Sequence, residues 1–92
     1  MELDLKEIRN QLDTIDDQMI ALFSQRMQLV AKVAAYKKEK GMPILDATRK
    51  QQIIDRLAEK AGKDMAEDTA RLYQMIFSLS RAYQARKIEE MA

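Results

Sequence analysis

"LKEIRNQLDTIDDQMIALFSQRMQLVAKVAAYKKEK", Leu5 to Lys40, contains neither glycine nor proline, and its reading decides the fold. Apolar residues recur at Leu5, Ile8, Leu12, Ile15, Met19 and Leu22, then at Leu29 or Val30, and at Val33. This alternation of three and four is the period of an amphipathic helix with a coiled-coil-like seam. At ~1.5 Å per residue the helix spans roughly 50 Å, whereas a compact domain of this length has a radius of gyration near ~12 Å. The rod therefore protrudes from any core that one chain can build. Its seam calls for a partner along its whole length.

Outward from this stretch, "KGMPILDAT" makes the first break. Gly41 suits the position just past a helix, Pro43 prevents continuation, and Asp46 or Thr48 can cap the next helix, with Thr48 and Gln51 fitting a capping box. This second helix is predicted from about Thr48 to Ala61, with Ile53, Ile54, Leu57 and Ala61 on one face. Gly62 ends it. "DMAE", Asp64 to Glu67, is another capping-box pattern and opens a third helix that continues to roughly Glu90, with Leu72, Met75, Ile76, Leu79 and Tyr83 as its main stripe. With no internal repeat, low-complexity tract or linker, residues 1–92 read as one all-α domain, long–short–long.

Composition narrows the function classes. The chain is 47% hydrophobic but has only three Tyr, two Phe and no Trp, so a monomeric core would be thin and association with a second chain is expected. The 16 basic and 15 acidic residues nearly cancel, which leaves no global positive field for nucleic acid or an anionic membrane. There is no cysteine and no histidine, so thiol nucleophiles, thiolate metal sites and the commonest general base are all missing. The N-terminal "MELDLKEIRN" has no apolar signal region and no apolar run reaches membrane-spanning length, so a cytoplasmic protein is the expectation.

Function must then lie in local placement, and several polar residues stand where the pattern calls for apolar ones. On a helical wheel Arg26 lies within roughly 20° of Ile15, Met19, Val33 and Lys37, so both cations sit on the seam, three turns apart and facing the same way. Their stems could pack on the seam with the heads in water, or each could pair with a carboxylate; but Asp and Glu are absent from the seam around them. An anionic ligand is one way to neutralise both. Arg9 is offset by about 100° from that seam and reads as a surface residue on its own chain, although in a two-fold dimer it could reach a partner's site. Arg49 falls in the first turn of helix 2, where it is either solvated or placed with free backbone N–H groups around a bound carboxylate. Ser80 and Gln84 are one turn apart on helix 3, on the side of Tyr73 and Phe77 and about 100° from the Leu72 stripe.

The order Arg9, then Arg26 and Lys37, then Asp46 and Arg49, then Ser80 and Gln84, on a long–short–long helical chain, resembles the all-helical chorismate mutase family. The local text "IRNQLDTIDDQMIALFSQR" is similar to that family's first helix, and the likeness covers nearly the whole chain. The resemblance implies an intertwined homodimer with paired first helices, two equivalent sites, and the Claisen rearrangement of chorismate to prephenate on the route to phenylalanine and tyrosine. It implies that Arg26 binds a substrate carboxylate, joined by Arg9 from the other chain. Lys37 and Gln84 would donate to the ether oxygen, with Arg49, Ser80 and the Asp46 backbone around the second carboxylate and the ring hydroxyl. The position after Arg49, commonly Glu in the family and an acceptor for that hydroxyl, is Lys50 here, which can only donate. A rearrangement within one molecule needs no nucleophile, metal, cofactor or proton shuttle, so the absence of His and Cys is no handicap. Isochorismate-pyruvate lyases resemble the same family, and the Asp46–Arg49 segment with Gln84 favours the mutase. A non-catalytic helical dimerisation or regulatory module is the remaining reading.

Overall fold

The computed structural model describes residues 3–91, and its elements are three α-helices: α1, Leu5–Lys40; α2, Ala47–Ala61; and α3, Ala66–Glu90. No strand occurs among the described residues. The long first helix forms as its sequence demands, from the N-cap Asp4, whose carboxylate accepts the Lys6 and Glu7 N–H groups at 3.0 and 3.4 Å, to Gly41 in the left-handed region at φ 66°. At that end the Met42 N–H bonds the Lys37 carbonyl at 2.8 Å and the Gly41 N–H bonds the Lys38 carbonyl at 3.3 Å, a Schellman closure. Gly41 supplies the positive φ that this closure needs.

Two predicted capping boxes do not form. Asp46, not Thr48, caps α2: its carboxylate accepts the Arg49 N–H at 3.0 Å, Thr48 is already helical, and Gln51 instead donates to Asp55 at 2.9 Å. At α3 the N-cap is Met65, with no side-chain bond, because a turn closed by Met65 N–H to Gly62 O at 3.2 Å absorbs the residues before it. Asp64 is thereby left one position too early to cap. Glu67 and Asp68 in the first turn face the positive end of the helix dipole instead.

α3 packs against both α1 and α2, which do not pack against each other. The core is small: Ile53, Ile54 and Phe77, with Leu57, Ala70 and Tyr73 against them, and Ala34 buried separately on α1. The inward side of α3 is the Tyr73–Phe77–Ser80–Gln84 side, while the predicted main stripe remains largely open, Leu72, Met75 and Leu79 being 50%, 60% and 47% exposed. The seam of α1 is open as well, from Leu5 through Ile8, Leu12, Ile15 and Met19 to Leu22. The chain measures 59 × 27 × 14 Å, and its radius of gyration of 16.9 Å exceeds the ~12 Å of a compact domain of this length. Among the described residues no helix is long and apolar enough to cross a membrane.

Candidate active site

Where α1 and α2 fail to meet, a cavity of about 210 Å³ opens, with α3 as its floor. Val30, Val33, Ile44, Leu45, Ile53 and Phe77 give it apolar walls, and Arg26, Lys37, Asp46, Arg49, Lys50, Ser80, Arg81 and Gln84 give it polar groups. Every site residue singled out from the sequence is thus brought to one cavity except Arg9. Arg9 is exposed on the N-terminal part of α1, and the 17 positions from it to Arg26 amount to roughly 25 Å along the helix axis, beyond the reach of a side chain.

The structure also explains how the seam divides. Beyond Leu22, α1 turns its seam onto α3: Phe23, Arg26, Met27 and Val30 are half-buried and Ala34 is fully buried. Arg26 donates from Nη1 to Ser80 Oγ at 3.1 Å, and its guanidinium carbon stands 5.5 Å from the Phe77 ring centroid. The stacking and the hydroxyl fix the fork while leaving most of its five N–H donors for other acceptors. Ser80, 4% exposed, also lies against Met27 Sδ at 3.8 Å, so this small hydroxyl ties α3 to α1 at the cavity edge.

Lys37 is held from both ends. Its carbonyl takes part in the α1 closure at Gly41 and Met42, and its ammonium donates to the Ile44 carbonyl at 2.7 Å, across the loop that leads into α2. One of its three N–H donors is occupied and the others remain for the cavity it lines. Gln84, 8% exposed, has a buried Oε1 with no hydrogen-bond partner. Such an orphan polar atom costs about 1–3 kcal/mol, a penalty usually kept only where the amide has another task.

The charge balance of the cavity is lopsided. Arg26, Lys37, Arg49, Lys50 and Arg81 face it, against the single carboxylate of Asp46, which is engaged in capping α2. The ion pairs among the described residues, Arg71–Glu67 and Lys87–Glu90, both at 3.1 Å, lie elsewhere, and the second raises the Lys87 pKa through its hydrogen bond and charge. Half-buried cations without counterions are unfavourable, and an apolar-walled pocket that collects them is matched to an organic anion. Among the described residues no three His, Cys, Asp or Glu side chains stand together as metal ligands would.

Arg81 is the cavity residue that the sequence reading missed. The signal existed: Arg81 follows Ser80, lies four residues beyond Phe77, and is about 60° from Gln84 on the helical wheel. Asp46 is expected to act chiefly through the cap. Asp46→Ala should lower stability by about 1 kcal/mol, whereas Asp46→Asn, an equally good cap, should hold it within a few tenths; denaturant midpoints of the two variants check this.

Comparison with known proteins finds relatives by sequence. The sequence pattern of chorismate mutase type II matches residues 8–85. A chorismate mutase of Methanocaldococcus jannaschii is 30% identical over 88 residues, 94% of this chain and 89% of that protein. The T-protein of Haemophilus influenzae is 38% identical over 74 residues, 75% of this chain but 20% of that longer protein. No solved structure gives a significant match. The family pattern and the Methanocaldococcus relative each cover most of the sequence, and the chain belongs to the chorismate mutase type II family.

Proposed function

We propose that the cavity between α1 and α2 is where this chorismate mutase rearranges chorismate to prephenate, with Lys37 and Gln84 donating to the ether oxygen. The observation that carries the assignment is the group of uncompensated cations on apolar walls, which suits a dianion built on a carbon ring. In the reaction the ether carbon–oxygen bond breaks as a carbon–carbon bond forms within the same molecule. No proton, electron or leaving group is exchanged with the protein. What accelerates it is restriction of a flexible dianion to its compact reactive conformer and stabilisation of the negative charge that grows on the ether oxygen. Arg26 is suited to a carboxylate, being already oriented by Ser80 and Phe77. Arg49, Ser80 and the Asp46 backbone are assigned to the second carboxylate and the ring hydroxyl, with Lys50 beside them.

The same proposal includes a homodimer, with residues 1–92 acting as one domain and the protein working in the cytoplasm. The open seam of α1 supports it: Leu5, Ile8, Leu12, Ile15 and Met19 are 57%, 39%, 51%, 49% and 52% exposed. A second, apolar cavity of about 390 Å³ continues the seam, lined by residues that include Met19, Leu22, Phe23, Leu72 and Leu79. At ~1.5–3 kcal/mol per fully buried apolar side chain, covering the exposed half of each seam residue contributes on the order of 1 kcal/mol. Summed along the helix, that is enough for a stable pairing after the cost of association. Pairing would also bring Arg9 of the second copy within reach of a cavity that its own Arg9 cannot enter.

Loss of chorismate absorbance on adding the purified protein tests the activity, with isochorismate run in parallel. Turnover of chorismate without release of pyruvate from either substrate is the expected result. No turnover of chorismate would remove the catalytic assignment of this cavity.

A further inference from the structure

Arg81 has no role in the assignments above, yet it lines the cavity half-buried, with no hydrogen bond, ion pair or aromatic ring to occupy its guanidinium among the described residues. Lys50 is in the same condition on α2. The short connection from Gly62 to Met65 makes α2 and α3 antiparallel neighbours, and Ile53 and Phe77 share their core. Lys50 lies one turn before Ile53 and Arg81 one turn after Phe77. In an antiparallel pair those steps run in the same direction, so the two cations come to one level of the cavity wall.

Two like charges at one level, both half-withdrawn from water and both without a counterion, repel each other in the empty protein. The cations that face the cavity from α1 already have protein partners: Arg26 has Ser80 and Phe77, and Lys37 has the Ile44 carbonyl. The α2–α3 wall is thus the part of the site where positive charge is least compensated. Asp46 does not relieve it, since its carboxylate is held by the Arg49 N–H.

We propose that Arg81 is a substrate-binding residue, and that with Lys50 it forms a cationic clamp on the α2–α3 wall for one carboxylate of the bound dianion. The ligand supplies the counterion that the wall lacks. A fork and a point charge on one carboxylate fix its position from two helices at once, and the guanidinium can bond it through two N–H groups. The clamp acts on binding rather than on the bonds that break and form, because it holds a carboxylate, whereas Lys37 from α1 and Gln84 from α3 are the groups assigned to the ether oxygen.

This inference rests on the proposed site, and its test separates the two. In Arg81→Gln the clamp loses one charge-assisted contact, so KM for chorismate should rise about tenfold or more while kcat stays within about threefold. The dissociation constant for prephenate, measured by calorimetry on the intact protein, should rise in parallel. The empty variant should melt about 1–3 °C higher than the parent because a repulsion has been removed, a gain that a merely structural arginine would not give. If KM and the prephenate dissociation constant both remain within twofold of the parent, Arg81 does not contact substrate and the proposal falls. If the parent binds prephenate but does not turn over chorismate, the catalytic reading fails, and the calorimetric comparison still decides for or against the clamp.

Discussion

Lys37→Ala is expected to lower kcat by at least about 10²–10³-fold, the loss typical of removing one donor aimed at charge that develops in the transition state. The size of the effect comes from where the ammonium stands. It is anchored to the Ile44 carbonyl at 2.7 Å and faces a cavity with apolar walls, so on the proposed assignment it need not reorganise as the ether oxygen becomes negative. In water an ammonium group would give little, because solvent already stabilises the oxygen; in an apolar-walled pocket the same charge counts for more. The fold should persist, since the α1 closure uses the backbone carbonyl of residue 37, but losing the ammonium's bond to the Ile44 carbonyl should lower stability by about 1–3 kcal/mol. Steady-state kinetics with a circular dichroism melt checks both halves of the expectation. A kcat within fivefold of the parent would mean that the ether oxygen is served by another group.

The second large effect is a recovery rather than a loss. Arg9→Ala and Lys37→Ala chains should each be nearly inactive alone, yet regain activity when mixed, unfolded and refolded together. The reason is geometric: Arg9 stands roughly 25 Å along α1 from Arg26 on the same chain, so a site that uses Arg9 must take it from a second copy. In a mixed dimer one site combines the intact Lys37 of the first chain with the intact Arg9 of the second, and the other site carries both defects. With random pairing about half of the dimers are mixed and one site in each is whole, so roughly a quarter of the parent activity should return. Activity that stays at the level of the separate variants would mean that each site is built from a single chain, or that Arg9 takes no part.

The fold was legible wherever one local rule governed. The bounds of α1 come from an unbroken period ended by Gly41, and the lengths of α2 and α3 from Gly62 and the next apolar run. Capping was less legible, because several acceptors compete within a few residues and the turn before α3 decided the matter with a backbone bond. The orientation of α3 was the instructive miss. Its most apolar side, Leu72 to Leu79, reads as core, but in one chain that side is largely open and the side carrying Ser80 and Gln84 turns inward. Periodicity ranks faces by hydrophobicity; it does not say which neighbour each face meets.

The candidate site was readable for a related reason. Arg26 and Lys37 break an apolar pattern, and a break in a strong pattern is visible without coordinates; Ser80 and Gln84 lie off the apolar stripe and gained meaning only through the family resemblance. Arg49 drew notice only as a cation at a helix start, where a solvated side chain explains it equally well, and Lys50 only through the family resemblance. Arg81 broke no pattern, because its neighbours on that flank of α3 are mixed, and only the cavity brought it to notice.

The gap between α1 and α2 reaches beyond catalysis. Since each touches only α3, whatever fills the cavity becomes the missing contact of the fold, and the occupied protein is the better-built one. A ligand present at 100 times its dissociation constant adds about 2.7 kcal/mol to the folded state by mass action. For a chain whose described residues include no large side chain that is fully buried, that is a substantial part of the whole margin. The metabolite supply would then govern how long each copy escapes proteolysis as well as how fast it works, so that an idle enzyme is also a short-lived one.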